Sequence, residues 1–186
     1  GVQPQTETVW RQANKYNIPR LVFVNKMDRV GADFHDVLHQ MRAKLAAPVV
    51  AIQIPMVHDD AFEGVIDLIS MRAIRWRDEL GAEIEYFDIP DSMLTKAKTF
   101  HEHLRVTVAE MDPTLEEKWL AGEEFIPEEV QRVLREGTLR GDCIPVLCGS
   151  AFKNRGIQPL LDAVVEYLPS PLDVPEVHGI NPKTGE

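Results

Sequence analysis

The chain has 186 residues, 44% of them hydrophobic and 27% charged, and 20 Lys and Arg against 30 Asp and Glu leave a formal net charge of -10. That composition belongs to globular proteins large enough to bury a core without covalent help, and no run approaches the ~20 apolar residues of a membrane span. An acidic chain is also ill-suited to gripping nucleic-acid phosphates, which takes clustered Lys and Arg, whereas a basic protein partner stays open.

The start, Gly1-Val2-Gln3-Pro4-Gln5, has neither the charged nor the apolar segment of a secretory signal. A helix is predicted from Thr6 to Tyr16, capped by Thr6, with Val9, Trp10 and Ala13 on one side. Pro19 breaks it. Leu21-Val22-Phe23-Val24 is a continuous apolar run, the pattern of a strand buried on both faces of a parallel sheet. It leads into Asn25-Lys26-Met27-Asp28, after which Phe34, Val37, Leu38, Met41 and Leu45 follow the 3.6-residue helical period.

The same rhythm returns near the other end. Ile144 to Cys148 reads as a second buried strand, Gly149 to Asn154 as a polar turn, and Ile157, Leu160, Leu161, Val164, Val165 and Leu168 as the apolar face of a helix stopped by Pro169 and Pro171. The two ends are therefore expected to form opposite edges of one doubly wound α/β sheet. Between them the rhythm changes. Val49 to Ile54 and Val65 to Trp76 are predicted strands with a turn marked by Asp59-Asp60 and Gly64, and Ala82 to Phe87 alternates as a half-exposed strand. Three helices follow: one carrying Met93, Ala97, Phe100, Leu104, Val108 and Met111, one opened by Asp112-Pro113 and closed by Gly122, and one opened by Pro127. The expected organisation is an α/β core at residues 1–47 and 140–169, an inserted α+β subdomain at 48–139, and a Pro- and Gly-containing linker at 170–186, as in a piece cut from a longer protein.

The loop after the first apolar run carries the sharpest chemistry. Ligands of open α/β sheets bind beyond the carboxyl ends of the strands. A guanine base offers N1–H and the N2 amino group as adjacent donors, and the Asp28 carboxylate can accept both. Asn25 can donate to N7 and brace neighbouring loops, while the aliphatic stem of Lys26 covers a ring face. Adenine lacks the donor pair, and sites of this kind discriminate by about 10⁴ to 10⁵. Asn and Asp are also ordinary turn residues after strands, so the second loop decides. There Ser150 and Ala151 are small enough to let backbone approach a ligand, the Ala151 N–H is a donor for guanine O6, and Lys153 can cover the other face of the base.

Val24 to Arg29 and Gly149 to Asn154 resemble the fourth and fifth guanine-nucleotide motifs of the translational GTPases. Gln5 to Ala13 and Tyr167 to Pro171 are similar to the bacterial elongation factor G family in particular, as is an insertion of roughly ninety residues where α/β connections are normally short. The resemblance spans essentially the whole chain, with the mitochondrial form, a second bacterial paralogue and release factor three as rivals. It implies part of a doubly wound P-loop GTPase sheet carrying the extra G-prime subdomain. It also implies GTP or GDP as ligand and a ribosome-dependent GTPase driving translocation of tRNA and mRNA in the cytoplasm. The phosphate loop Gly-x-x-x-x-Gly-Lys-Ser/Thr, the γ-phosphate-sensing Asp-x-x-Gly and the switch Thr that completes the Mg²⁺ shell do not occur in these residues. The expectation is therefore a base-recognition half with no catalytic residue or metal ligand of its own, inactive in hydrolysis by itself. A non-catalytic protein-interaction module is the alternative.

Other candidates carry less. His35 and His39 have zinc spacing on one helix but no third ligand, and read as solvated. His58-Asp59-Asp60 and His101-Glu102-His103 come without a nucleophile. Cys143 and Cys148, five apart on a predicted strand, are expected to face opposite ways as inert core thiols in a reducing compartment. Residues 91–136 hold eleven acidic against six basic residues, a net of -5. That is either a solvated face or a docking surface for a basic protein. The family resemblance implies docking, to the mobile stalk protein of the large ribosomal subunit.

Overall fold

A computed structural model describes residues 1–58, 61–78 and 81–173; the predicted turn at Asp59-Asp60 and the linker from residue 174 onward lie outside them. Among the described residues seven strands are formed: β1 (Val22–Val24), β2 (Val49–Ala51), β3 (Gln53–His58), β4 (Ala61–Asp67), β5 (Arg72–Trp76), β6 (Ile84–Phe87) and β7 (Ile144–Cys148). Six α-helices accompany them there: α1 (Pro4–Lys15), α2 (Phe34–Leu45), α3 (Asp91–Ala109), α4 (Pro113–Leu120), α5 (Pro127–Arg140) and α6 (Ile157–Tyr167). The mixed α/β architecture expected from the sequence is present, as a parallel sheet β1-β7-β2 beside an antiparallel sheet β3-β4-β5-β6.

The two apolar runs are not opposite edges of the parallel sheet; they are hydrogen-bonded neighbours. Val22, Phe23 and Val24 pair with Val146, Leu147 and Cys148, and every residue of β7 is buried because it is flanked on both sides. β1 borders the described sheet and keeps only Val24 buried, so its predicted two-sided burial is not realised. The pairing does bring the carboxyl ends of β1 and β7 level, which places the two motif loops side by side.

Two predicted strands each divide. Val49 to Ile54 bends at Ile52: β2 pairs with Ile144–Val146 of the parallel sheet, and β3 opens the antiparallel one. Ile52 stitches the sheets together, donating its N–H to Val146 O at 3.1 Å and accepting from Leu68 N at 3.0 Å. Residues 49–51, expected in the insertion, thus belong to the parallel sheet. Val65 to Trp76 breaks into β4 and β5 because Asp67 accepts hydrogen bonds from Ile69 N (3.1 Å), Ser70 N (3.2 Å) and the Ser70 hydroxyl, an aspartate-driven turn. Met71 completes it in the left-handed region (φ 51°). Gly64, expected in a turn, lies within β4, where a Cβ would sit 2.1 Å from Ile74 O; glycine is there for close backbone approach.

The helices follow their sequence signals with two exceptions. α1 starts at Pro4 with Gln3 as cap, and Thr6, three residues into the helix, accepts from Gln3 N instead of capping; proline at the first position has no N–H to satisfy. Val9 points to solvent, while Trp10 packs under Arg20, whose guanidinium lies 4.8 Å from the ring centre. On α6 the predicted apolar face is largely uncovered: Ala163 and Tyr167 are buried, but Leu161, Val164 and Val165 are exposed. α2 buries Phe34, Leu38 and Met41 and is capped by Asp33, which accepts from Asp36 N at 2.9 Å. α4 has Asp112 as cap, accepting from Leu115 N at 3.0 Å, and α5 buries Val130, Val133 and Leu134. No helix among the described residues is long and apolar enough to cross a membrane.

At the carboxyl end of β7 the chain must pass between its own return and β1. A Cβ on Gly149 would stand 2.3 Å from Arg155 O and 2.8 Å from Phe23 Cζ. Gly149→Ala is expected to cost about 1–3 kcal/mol, the range for overpacking a filled site, read as a lower urea midpoint with unchanged slope. An unchanged midpoint would contradict this packing.

Candidate functional site

The loops leaving β1 and β7 are joined by one side chain. Asn25 Oδ1 accepts the N–H of Lys26 at 2.8 Å and, across 126 residues of chain, the N–H of Ala151 at 3.0 Å. Backbone bonds flank this bridge, from Met27 N to Gly149 O (3.0 Å) and from Gly149 N to Val24 O (3.1 Å). Two donors converging on Oδ1 leave the amide no freedom to flip, so Asn25 Nδ2 is directed outward as a donor. Lys26 takes a left-handed backbone (φ 66°), which costs a non-glycine residue roughly 1–2 kcal/mol. Such strain persists only where surrounding bonds enforce it.

Asp28 lies beyond this bridge, its side chain only 18% exposed, with Lys153 Nζ 3.9 Å from Oδ2. Its carboxyl is held below the ordinary aspartate range, first by the neighbouring Ser150 hydroxyl and, after an opposing push from burial, by its own backbone N–H and the cations Lys153 and Arg29. Ser150 is fully buried, and its Oγ makes no hydrogen bond of good geometry. Its effect on Asp28 is therefore one of proximity, and Lys153, with its ammonium 3.9 Å from the carboxylate, acts in the same direction.

Ser150 also anchors the second loop. Its backbone pairs with Arg155 in an isolated antiparallel bridge, Ser150 N to Arg155 O at 2.9 Å and Arg155 N to Ser150 O at 3.0 Å. Between them Ala151–Lys153 form one 3-10 turn, closed by Asn154 in the left-handed region. The six residues singled out by sequence, Asn25, Lys26, Asp28, Ser150, Ala151 and Lys153, thus gather at the carboxyl ends of two adjacent parallel strands. One expected detail changes: the Ala151 N–H, assigned to guanine O6, is engaged by Asn25 here. Nothing in the sequence signalled that the Asn25 oxygen would face inward.

The remaining candidates among the described residues do not join this site. His35 and His39 are exposed on α2, His35 standing edge-on to Phe100 at 6.3 Å. His101 Nδ1 lies 2.7 Å from Leu68 O, a structural contact between α3 and the β4–β5 turn. Both cysteines are free and buried; burial pushes the Cys143 thiol up to about 11 and Cys148 higher still, so neither supplies a thiolate near neutrality.

A parallel sheet with two loops joined at its carboxyl edge, beside an antiparallel sheet, is an α/β layout of the P-loop GTPase type. Residues 1–170 match the family described as the elongation factor Tu GTP binding domain. This chain belongs to that family, that of the GTP-binding domains of elongation-factor-type translational GTPases. Among solved structures it is similar to the crystal structure of a protein from Thermus thermophilus, at 31% identity and a TM-score of 0.82, over 93% of this chain. It spans 26% of the length of that protein.

The depressed Asp28 value has a defined sign. Because the folded value lies below the ordinary 3.8, the ionised carboxylate contributes stability that is complete above that pH and is lost as pH falls through the lower folded value. In a carboxyl-carbon NMR titration Asp28 is expected to titrate below 3.8 and to move upward in Ser150→Ala. A midpoint at or above the ordinary value would show that Ser150 and Lys153 do not act on it.

Proposed function

We propose that this chain is the base-recognition half of the GTPase domain of a bacterial elongation factor G, the ribosome-dependent GTPase that drives tRNA and mRNA translocation. The observation that carries the base assignment is the Asn25 oxygen locked by Lys26 N and Ala151 N. It presents Nδ2 to N7 of a purine while Asp28 accepts from N1–H and the N2 amino group. A guanine fits this donor set: Asp28 is ionised and partly sheltered, with Lys153 and the buried Ser150 beside it. Lys26 and Lys153 lay their aliphatic stems on the two ring faces. The Ala151 N–H serves O6 as a shared, three-centre donor, a geometry common in proteins. Adenine would leave Asp28 without its fork and set an amino group against Ala151 N–H.

Phosphate contacts, Mg²⁺ ligation and positioning of the attacking water are functions of the whole protein for which these residues supply no group. Asn25, Lys26, Asp28, Ser150, Ala151 and Lys153 bind and orient; none is assigned a proton transfer. In the whole protein, Asp28→Asn is expected to weaken GDP binding roughly 10- to 100-fold, the worth of a hydrogen bond to a charged group. It should also raise affinity for xanthosine diphosphate, whose O2 accepts from the new amide. Retained preference for guanine over xanthine would remove Asp28 from this role.

The segment from β3 through α5 is proposed as the inserted subdomain, and its surface favours a protein partner. Several of its acids are used internally: Asp112 and Glu136 with Arg132, Glu129 with Lys118, and Glu102 and Glu124 with Arg105. Glu116, Glu117, Glu123 and Glu128 face solvent around Trp119, Leu120 and Ile126, of which Leu120 is 72% and Ile126 56% exposed. Apolar side chains rimmed by one sign of charge form a docking surface for a basic partner, here the ribosomal stalk protein. Titration with purified stalk protein should give salt-sensitive binding that a combined Trp119→Ala and Leu120→Ala variant weakens at least about tenfold, as loss of a central apolar contact does. Undiminished binding would exclude this face.

A further inference from the structure

The Ser150–Asn154 loop is held at its foot by side chains that reach into the other sheet. Arg155, which closes the loop by pairing with Ser150, donates from Nη1 to Phe62 O of β4 at 3.0 Å. Gln158, in the first turn of α6, accepts from Trp76 Nε1 of β5 at 3.3 Å and donates through Nε2 to Gly81 O. Gly81 (φ 71°) lies so close to the loop that a Cβ there would stand 2.2 Å from Asn154 O. All three hydrogen bonds are partly buried and span 77 to 93 residues of sequence. In such surroundings a hydrogen bond is worth more than at an open surface.

Simple packing of α6 on its neighbour would spread contacts along the helix. α6 does pack along its length through Ala163, Tyr167 and the Arg135 bonds to Glu166 O and Leu168 O, but its side-chain hydrogen bonds to the antiparallel sheet lie at the loop and the residues just after it. Arg155 and Gln158 are partly exposed polar residues with no place in the base-recognition motifs. What they share is that each fixes the loop holding Ala151 and Lys153 to a strand or turn of the antiparallel sheet.

We propose that Arg155 and Gln158 are positioning residues for purine recognition, latching the 150–154 loop onto the β4–β5–Gly81 edge, so that the fit of the pocket depends on a sheet that never touches the base. This rests on the assignment of Asn25, Asp28 and the loop to the guanine base. Arg155 holds the loop's return strand and Gln158 holds the start of α6 against Gly81. Releasing either lets the Ala151 N–H drift from the position that Asn25 and the ligand share.

The test uses the full-length polypeptide with Arg155→Ala, Gln158→Ala, Arg155→Lys and Asp28→Asn. It reads dissociation constants for GDP and inosine diphosphate together with amide hydrogen exchange. Inosine keeps O6 and N1–H but lacks the 2-amino group, so the ratio of the two constants reports on Asp28 and not on the loop. Loss of the latch is expected to weaken both nucleotides about five- to tenfold, the worth of one hydrogen bond, with their ratio unchanged. Exchange at Ala151 to Lys153 should quicken by a similar factor, while β7 amides stay protected. Arg155→Lys, which keeps a donor for Phe62 O, should restore most of the affinity. Wild-type nucleotide affinity and loop exchange in both alanine variants would overturn the latch. So would quickened exchange throughout β7, which would mark Arg155 and Gln158 as general stabilisers. An Asp28→Asn variant with an unaltered ratio would overturn the base assignment itself, whatever the latch variants do.

Discussion

One side-chain oxygen organises the site. Asn25 Oδ1 accepts backbone N–H groups from two loops that are remote in sequence, so a single interaction sets the separation of the loops, the orientation of its own amide and the strained backbone of Lys26. An amide is suited to this as neither a carboxylate nor a hydroxyl is. It offers an acceptor inward and a donor outward from one rigid plane. The backbone bonds from Met27 N to Gly149 O and from Gly149 N to Val24 O hold the same two loops beside it.

The bridge works only because β1 and β7 are adjacent and parallel. Parallel strands end on the same side of a sheet, and the Val24–Cys148 pair puts their last residues level. β7 is the strand on which this depends, buried along its length and bonded to both neighbours. Glycine at 149 then allows β1, β7 and the returning Arg155 to meet at a distance no side chain tolerates. The antiparallel sheet is joined to the same framework at two levels, through the Ile52 backbone near the middle of β7 and through Arg155 and Gln158 at the edge of the recognition loop. The 150–154 loop is thus tied to both sheets.

The acidic surface divides by use. Where an acid caps a helix or meets an arginine, as Asp112 does with Leu115 N and Arg132, it is part of the fold, and its carboxyl is held low mainly by the Arg132 guanidinium. Surface ion pairs of this sort are worth little individually. Glu116, Glu117, Glu123 and Glu128, beside the exposed apolar residues of α4 and the turn after it, are exposed and outside these pairs.

Much of this was legible locally. The apolar runs at 21–24 and 144–148, the Asp112-Pro113 and Pro127 helix starts, and the two polar loops all carry signals that depend on near neighbours, and each became the predicted kind of element. Where prediction failed, the deciding partner was distant. Val49 to Ile54 has one continuous pattern, yet hydrogen bonds to β7 on one side of Ile52 and to β4 on the other split it between sheets. The apolar periodicity of α6 promised a buried face, but periodicity reports only that residues share a side, not that anything covers it. By itself the sequence determined which residues could recognise a purine, because donor and acceptor types are properties of single side chains. Tertiary structure alone decided which way the Asn25 amide faces, that Ala151 N–H is already engaged, and that Arg155 and Gln158 hold the loop, because each depends on atoms brought together from about 75 to 125 residues apart, and no local pattern encodes which distant backbone a side chain will meet.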